Sequence, residues 1–426
     1  MTGMGRFFLI ILVAVICSLY YFPTSLQVLP NVNSKMVLAA IGGGLFIWEH
    51  LRHRQAEIRT EIFGALVIAA VFSLWVYFSI VMNDTADMTY VTYFVSACVW
   101  LGGAYTIVWC LRRMYGRATF RLIFFFLGLV GAAQCILAIL IDNMPALQAW
   151  VNATFPIPED YYEKNDRLYG IGFAFDTGGI RLSCILLGVG YLIKTAETAS
   201  RRVLLLSLFL VMGIVGNFVS RTTVVGLCLG LLLMFSSSFY WLRLRITKRH
   251  FLWTMGTVFG LFVFGATVVY LYRHMDSLRE SMDYGFEGFI NLIQTGEFST
   301  HSSDLLLNSW LDIWPDNAKT WWIGDGYFAD PFDLGAFYAG TDSGYPVMIF
   351  YCGLIGMAMF TAYFAYCSYV LCRRGENANL LFWGLFVLQL IVWVKIPTDL
   401  FCCYALLLLA DKNVTTSPRL SVWNKG

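Results

Sequence analysis

The sequence is short of charge. Only 13% of its 426 residues are Asp, Glu, Lys or Arg, whereas 58% are apolar. A soluble domain carries about 25% charged residues, so the composition excludes a soluble enzyme, a disordered regulator and a disulfide-stapled secreted module. The apolar residues suffice for about twelve membrane spans of about twenty residues each. An aromatic content of 17% suits a protein with two lipid–water interfaces.

Common chemical motifs are also missing. There is no G-x-x-x-x-G-K and no G-x-G-x-x-G, so no nucleotide site is predicted on the inner side. The 11 cysteines include no C-x-x-C pair, and each lies in or at the edge of an apolar run. They are therefore predicted to be small buried residues, not a redox framework or a metal site.

About twelve apolar runs, each bounded by charge, proline or asparagine, predict an all-α integral membrane protein. The runs cover about 7–22, 34–48, 62–82, 90–111, 122–141, 179–193, 203–219, 222–242, 251–272, 344–371, 379–395 and 399–410. Most of the 29 basic residues fall on the inner side if the amino terminus is cytoplasmic, and most of the 27 acidic residues fall outside. The positive-inside rule therefore predicts that both termini are cytoplasmic. The chain is interpreted as one multi-pass domain over 1–426.

Two predicted outer connections are long, at about 142–178 and 273–343. Loops of this length in a compact chain are usually functional, so chemistry is expected on the outer side. Arg221 stands in the sequence SRT, in an outer turn between two apolar runs. It is either a snorkelling interface anchor or a clamp for phosphate oxygens, because guanidinium makes two parallel hydrogen bonds and stays charged.

Two more outer arginines flank a glycine-rich stretch that allows close approach to a ligand. Arg167 opens the sequence RLYGIG and lies next to Asp166. It is either a ligand contact or a solvated loop charge. Arg181 begins the next helix after the sequence DTGG. It either binds substrate or pairs with Asp176, five positions earlier.

Asp342 precedes a long apolar run, within the sequence TDSGY. Asp342 or Ser343 can cap the amino end of the following helix. The Asp342 carboxylate can also accept a proton from an attacking sugar hydroxyl, and the two roles are compatible.

Other outer residues are weaker candidates. Those assigned to substrate binding, besides Arg181, are Arg279, His301, Asp325 and Tyr345. Asp84 with Asp87, and Asp330 with Asp333, have a D-x-x-D spacing that can hold a divalent ion. Such pairs are common in acidic loops, and no metal is assigned. The aromatic residues of the second long loop either stack on sugars or pack the loop.

The order and sidedness of these segments resemble the Wzy-type O-antigen and polysaccharide repeat-unit polymerases, within the O-antigen polymerase–ligase superfamily. The resemblance is carried by RLYGIG at 167–172, SRT at 220–222, SMDYGFEGFIN at 281–291, TGE at 295–297, WIGDGY at 322–327, TDSGY at 341–345 and GLIG at 353–356. The resemblance in sequence covers the chain from about 165. Before that position, only the predicted membrane topology resembles the family.

The resemblance implies a glycosyltransferase of the bacterial inner membrane. Such enzymes move a glycan from undecaprenyl pyrophosphate onto a new lipid-linked repeat unit on the periplasmic side, without nucleotide sugar, metal or other cofactor. It implies that Arg167 and Arg221 lie at positions that hold pyrophosphate. The role of Arg181 in substrate binding is inferred only from its charge and its predicted position. Related ligases carry a histidine where this chain has Asp342, which favours a polymerase.

Two other functions stay open. A ligase moves the glycan to a different acceptor such as lipid A core, and a non-catalytic carrier or flippase only translocates it. A carrier needs a polar path, and the predicted spans hold almost no ionisable residues, with Lys395 and Asp399 the nearest. The expected partners are undecaprenyl-pyrophosphate-linked oligosaccharide and membrane lipid. A chain-length regulator protein is a candidate partner, and no nucleic acid is expected.

Overall fold

The structure is a computed structural model of the full chain. It describes residues 3–53, 59–156, 167–236, 255–256, 285, 287–297, 300, 304, 310, 313–333, 335–374 and 377–412. The predicted run at 251–272 lies outside these residues apart from 255–256, and so do Arg279 and His301.

The described residues are mostly helical, and each predicted run other than 251–272 overlaps a helix. The helices are α1 (Gly3–Tyr21), α2 (Ser34–His53), α3 (Thr60–Asn83), α4 (Tyr93–Tyr115), α5 (Phe120–Asn143), α6 (Pro145–Thr154), α7 (Phe175–Lys194), α8 (Ala199–Val219), α9 (Thr223–Phe235), α10 (Glu287–Thr295), α11 (Ala318–Trp322), α12 (Gly344–Cys372), α13 (Asn379–Lys395) and α14 (Phe401–Leu409). An antiparallel hairpin of β1 (Ser25–Leu26) and β2 (Leu29–Asn33) joins α1 to α2.

Six of the described helices are long and apolar enough to cross a membrane, namely α3, α4, α5, α7, α8 and α12. The apolar helices in α1, α9 and α13 are shorter. The chain is therefore an all-α, multi-pass membrane protein. The full count of about twelve spans and the orientation of the termini stay predictions. We call the side of the bundle that carries residues 220–222 and 341–343 the outer side.

The longest helix, α12, is broken at Gly353, where φ is 68° and ψ is 179°. The apolar run predicts one long tilted helix here, but a positive φ ends the regular hydrogen-bond ladder and favours glycine. The carbonyl of Phe350 instead accepts a hydrogen bond from the N–H of Asp325 at 2.5 Å. The carbonyl of Tyr351 accepts one from Gly326 at 3.2 Å. Lipid offers no hydrogen-bond donors, so carbonyls freed by a helix break need partners within the protein. These two bonds supply them and dock the segment that holds Asp325 onto the broken helix.

Helices α7 and α9 pack closely through small residues. A Cβ atom added at Gly226 would overlap Ser183. The Ser183 hydroxyl donates to the carbonyl of Thr222 at 2.9 Å and accepts from the N–H of Gly226 at 3.2 Å. Membrane helices associate through this kind of close contact and interhelical hydrogen bonding. The contact fixes the turn between α8 and α9, which carries Arg221, beside the outer part of α7.

Helix α14 is short and lies inside the bundle. Its nine residues rise about 14 Å, against roughly 30 Å for the hydrocarbon core, so α14 alone is not the span predicted at 399–410. Asp399 accepts the N–H of Phe401 at 2.8 Å at its amino end. The terminal carbonyls accept hydrogen bonds from Arg59 (Leu408, Ala410), Arg112 (Leu409) and Arg374 (Leu407, Leu408, Ala410). These charges match the helix dipole at both ends.

The 11 cysteines are all free thiols. Most are buried in the helix bundle, as the apolar runs predict, and Tyr20 donates a hydrogen bond to the carbonyl of Cys402 at 2.9 Å. Cys98 and Cys228 are exposed on helix surfaces. The cysteines therefore act as small apolar residues of the fold.

Candidate functional site

A group of polar side chains joins three parts of the outer side. The Nζ atom of Lys395, the last residue of α13, lies 2.8 Å from Oδ1 of Asp176 in the first turn of α7. The same oxygen accepts hydrogen bonds from the hydroxyls of Ser220 at 2.7 Å and Thr222 at 3.0 Å. We call Asp176, Ser220, Thr222 and Lys395 the outer polar cluster.

The cluster is partly sheltered from solvent. The exposed fractions of the Lys395 and Asp176 side chains are 25% and 16%. Three donors converge on one carboxylate oxygen, and the carboxylate lies at the positive end of the α7 dipole. Charge-assisted hydrogen bonds of this kind fix geometry more firmly than a surface ion pair. The cluster therefore holds the turn between α8 and α9 against α7 and α13.

Arg221 is presented by this turn. Its chain neighbours Ser220 and Thr222 both bond to Asp176, so the backbone on either side of Arg221 is fixed. The guanidinium forms an ion pair with Glu287, the first residue of α10, and the Arg221 side chain is 19% exposed. Arg221 therefore faces a carboxylate of the second long outer loop, an environment that differs from that of a snorkelling anchor.

Arg167 lies close to the same turn. The N–H of Leu168 donates to the carbonyl of Phe218 at 3.1 Å, which brings Arg167 beside the outer end of α8. Phe218 stands three positions before Arg221. Arg167 is half-buried, and its Nε and Nη1 atoms are shielded from solvent. It is therefore not the solvated loop charge that its neighbours in sequence suggest.

Asp342 is exposed at the edge of the outer polar cluster. Its neighbour Ser343 donates to the carbonyl of Val394 at 2.8 Å, which places Asp342 next to the end of α13. Partial burial of the carboxyl raises the pKa of Asp342. The hydrogen bond from its own backbone N–H and the charge of Lys395 lower this pKa, and the charge of Asp176 raises it. Asp342 therefore lies beside the outer end of α13, and its carboxyl interacts electrostatically with both members of the ion pair.

Helix capping does not occupy the Asp342 side chain. Ser343 is the N-cap residue of α12, but its hydroxyl makes no capping bond to that helix. Instead it bonds to Val394 and accepts from Trp310 Nε1 at 2.9 Å. Within the described part of the chain, the Asp342 carboxylate makes no hydrogen bond to another residue. It is therefore accessible to a ligand that arrives from the outer side.

Three predicted residues thus gather around one cluster: Arg167, Arg221 and Asp342. Lys395 is the residue that sequence reasoning left without a role. Its position as a cation at the outer end of an apolar run was visible, but its partner Asp176 lies far away in sequence. The arrangement provides cations for an anionic group and a carboxylate for a proton.

Two other predicted residues are engaged elsewhere in the fold. Asp325 accepts a hydrogen bond from the Thr320 hydroxyl at 2.6 Å, in the segment docked on the broken α12. The hydroxyl of Tyr345 donates to the carbonyl of Leu390 at 2.8 Å. These polar groups already have protein partners, and substrate contact by Asp325 or Tyr345 stays a prediction.

The alternative pairing of Arg181 with Asp176 is wrong, because Asp176 pairs with Lys395. Carboxylates of both D-x-x-D pairs accept hydrogen bonds from backbone N–H groups. Asp87 accepts the N–H groups of Phe328 at 2.8 Å and Ala329 at 3.0 Å, linking two outer connections. Asp330 accepts N–H groups within its own turn. Among the described residues, no group of three or more His, Cys, Asp or Glu side chains is arranged to hold a metal ion.

Comparison of the chain with known protein families, with curated proteins and with solved structures gave no match. The function is therefore inferred from the chemistry of the site.

Proposed function

We propose that the protein is a lipid-linked polysaccharide polymerase. It transfers a glycan from undecaprenyl pyrophosphate onto the non-reducing end of a lipid-linked repeat unit, at the periplasmic face of the bacterial inner membrane. The observation that supports this most is the grouping of Arg167, Arg221 and Asp342 around the outer polar cluster of a multi-pass membrane bundle.

The arginines act on the donor substrate. When the bond between the sugar C1 and the phosphate oxygen breaks, negative charge grows on the leaving pyrophosphate and the sugar becomes oxocarbenium-like. A guanidinium held in place beforehand stabilises that charge without reorganisation. Arg221 already pairs with an anion, Glu287. A pyrophosphate that displaces Glu287 meets a cation whose backbone is fixed on both sides.

Asp342 acts on the acceptor. The hydroxyl of the incoming repeat unit attacks C1, and its proton moves to the Asp342 carboxylate as the new glycosidic bond forms. The products are the extended lipid-linked glycan and free undecaprenyl pyrophosphate. Lys395 does not touch the reacting atoms in this scheme. It positions the Arg221 turn through Asp176 and lowers the pKa of Asp342.

Reconstitution of the purified protein in lipid with a synthetic lipid-pyrophosphate repeat unit tests the proposal. A ladder of products supports a polymerase, and a single new conjugate with an added acceptor identifies a ligase instead. Arg221→Ala and Asp342→Ala should each abolish the ladder while leaving the protein in the membrane. Lys319→Ala is the matched control, because Lys319 is an exposed cation of the second long loop. A wild-type ladder from both site variants would remove the two residues from the mechanism.

A carrier of lipid-linked oligosaccharide is the second candidate. The sequence predicts spans with almost no ionisable residues, but α7 begins at Phe175 and includes both Asp176 and Arg181. Charges within a spanning helix are a feature of translocation paths. Vesicles that contain the protein and move a labelled lipid-linked repeat unit across the bilayer, without forming longer products, would favour the carrier.

A further inference from the structure

A second pair of cations, separate from the outer polar cluster, lies beside one tryptophan ring. The Nζ atom of Lys35 is 4.6 Å from the ring centroid of Trp100, and the guanidinium carbon of Arg181 is 5.8 Å from the same centroid. Trp100 stands seven positions into α4, about 10 Å from its outer end. Arg181 stands six positions into α7, about 9 Å from its start. Both contacts are therefore recessed below the outer helix ends.

Neither cation is neutralised by a close carboxylate. Within the described part of the chain, the side chains of Lys35 and Arg181 form no hydrogen bond and no ion pair within 4.0 Å. Their like charges act against each other. Two half-buried cations whose contact is an aromatic ring are energetically costly in a membrane protein. Such a cost is typical of a functional site.

The carboxylate of Asp399 has a separate structural role. Asp399 interacts electrostatically with both cations. Its Oδ1 atom, however, accepts a hydrogen bond from the N–H of Phe401 at 2.8 Å, at the amino end of the buried helix α14. Asp399 therefore offsets part of the positive charge from a distance, and it leaves the donor groups of Lys35 and Arg181 open to another anion.

A cavity leads to Arg181. It has a volume of about 400 Å³ and opens between the β1–β2 hairpin and the start of α7. Its polar lining includes Thr24, Ser25, Asn33 and Thr177 as well as Arg181. The volume falls within the range of small-molecule sites, roughly 300–1,000 Å³. Small hydroxyl and amide groups around one guanidinium suit an anionic, oxygen-rich ligand.

The cavity wall also has an unusual backbone. Phe175 lines the cavity and has a φ of 55°, a region that bulky residues rarely adopt. Gly172, another lining residue, has a φ of 66°, and a Cβ there would overlap the carbonyl of Phe22. Strained backbone of this kind clusters at ligand sites.

We propose that Lys35 and Arg181 form a second anion site, reached through this cavity, for the pyrophosphate of the acceptor lipid. The inference rests on the proposed function, because glycan transfer requires two lipid-pyrophosphate substrates at once. Arg167 and Arg221 serve the donor. Asp176 and Arg181 share helix α7 and lie about 7.5 Å apart along its axis, so the two sites occupy neighbouring levels of one helix.

Binding stoichiometry tests the site directly. Full-length protein in phosphatidylcholine nanodiscs is dialysed to equilibrium against labelled inorganic pyrophosphate, and in a second arm against farnesyl pyrophosphate. Wild type should bind two equivalents of pyrophosphate. In the double variant Lys35→Gln/Arg181→Gln, one of the two should bind at least tenfold more weakly. The control variant Lys319→Gln should retain both. Retention of both equivalents with unchanged affinity in the double variant overturns the proposal.

Two further arms separate the sources of phosphate and the effects of folding. Tighter binding of farnesyl pyrophosphate than of inorganic pyrophosphate supports an isoprenoid substrate. Loss of the second equivalent when phosphatidylglycerol replaces phosphatidylcholine assigns the site to membrane headgroups and overturns the acceptor role. The charge-retaining variant Lys35→Arg/Arg181→Lys should keep binding, and its loss would indicate a structural role for these side chains.

The product assay distinguishes this inference from the proposed function. If wild type forms no ladder but the double variant loses one equivalent, the polymerase assignment fails and the anion site stands. If wild type forms a ladder and the double variant forms the same ladder with both equivalents bound, the polymerase stands and the second site fails.

Discussion

Lys395 lies 2.8 Å from Asp176, although 219 positions separate the two residues in the chain. The pair joins the end of α13 to the start of α7. Through Ser220 and Thr222 it also fixes the turn that carries Arg221. Its ammonium acts on Asp342 as well. One ion pair therefore affects both the position of Arg221 and the proton affinity of Asp342.

We expect Lys395→Gln to move the acid limb of the polymerisation rate to higher pH. Asp342 must be ionised to accept a proton. Burial raises the pKa of Asp342 and the Lys395 ammonium lowers it, so removing the ammonium raises the pKa further. The measurement is the rate of ladder formation across the acidic range, with Lys319→Gln as the control. An acid limb that stays in place or moves to lower pH would contradict the effect of Lys395 on Asp342.

Arg221 is expected to require its guanidinium and not only its charge. Arg221→Ala should lower the transfer rate by about 10²–10³, as loss of one preorganised donor does elsewhere. Arg221→Lys should recover only part of that loss, because an ammonium cannot make two parallel hydrogen bonds. Rates are measured with saturating lipid-linked repeat unit in nanodiscs. Full recovery by lysine would show that charge alone is sufficient.

Glu287 is expected to compete with substrate. It forms the ion pair with Arg221 that a pyrophosphate must replace. Glu287→Gln should therefore bind inorganic pyrophosphate more tightly than wild type. Equilibrium dialysis measures the change, and Glu297→Gln serves as the control because Glu297 is exposed at the other end of α10. Weaker binding in Glu287→Gln would mean that Glu287 positions Arg221 for the substrate.

Local sequence was enough to predict part of this site. Arg221 stands between two apolar runs, and Asp342 precedes a third, so their place at the ends of helices followed from hydropathy alone. The Lys395–Asp176 contact was beyond such reasoning, because it depends on how distant helices pack. The same holds for α14, since an apolar helix buried by protein and one covered by lipid have similar composition. Trp100 and its two cations were missed for the same reason.

The break in α12 was also hidden, because one glycine in an apolar run does not disturb the hydropathy pattern. Gly353→Ala should destabilise the protein by about 1–3 kcal/mol, since φ is 68° there and the carbonyl of Trp322 occupies the space of a Cβ. Thermal unfolding in detergent measures the loss. Gly43→Ala is the control, because no atom lies within 4 Å of a Cβ at Gly43 in α2. Equal melting temperatures for the two variants would argue against the break.

Arg112 and Asp411 form an ion pair beside the inner end of α14. This pair should contribute a pH-dependent part of the stability. Burial opposes the charge of Asp411, but hydrogen bonds from Arg112 and from the Ala118 N–H outweigh it, so the pKa of Asp411 is lowered. This stabilisation is complete above the ordinary pKa of an aspartate and is lost as the pH falls through the lowered pKa. Asp411→Asn should cost about 1–3 kcal/mol at neutral pH. Melting curves should converge with wild type in strong acid, and a constant difference would contradict the role of ionisation.

The hydrogen bonds from three arginines to the terminal carbonyls of α14 have a consequence for biogenesis. Arg59, Arg112 and Arg374 all precede α14 in the chain, so all three are synthesised before this segment. A stretch of nine residues is too short for the translocon to retain as an independent anchor. We therefore expect the insertion of α14 to depend on the earlier assembly of the helices that carry these arginines. Variants of these three arginines should be synthesised at the normal rate but degraded rapidly. Their main effect should therefore be a lower amount of mature protein and not a lower catalytic rate.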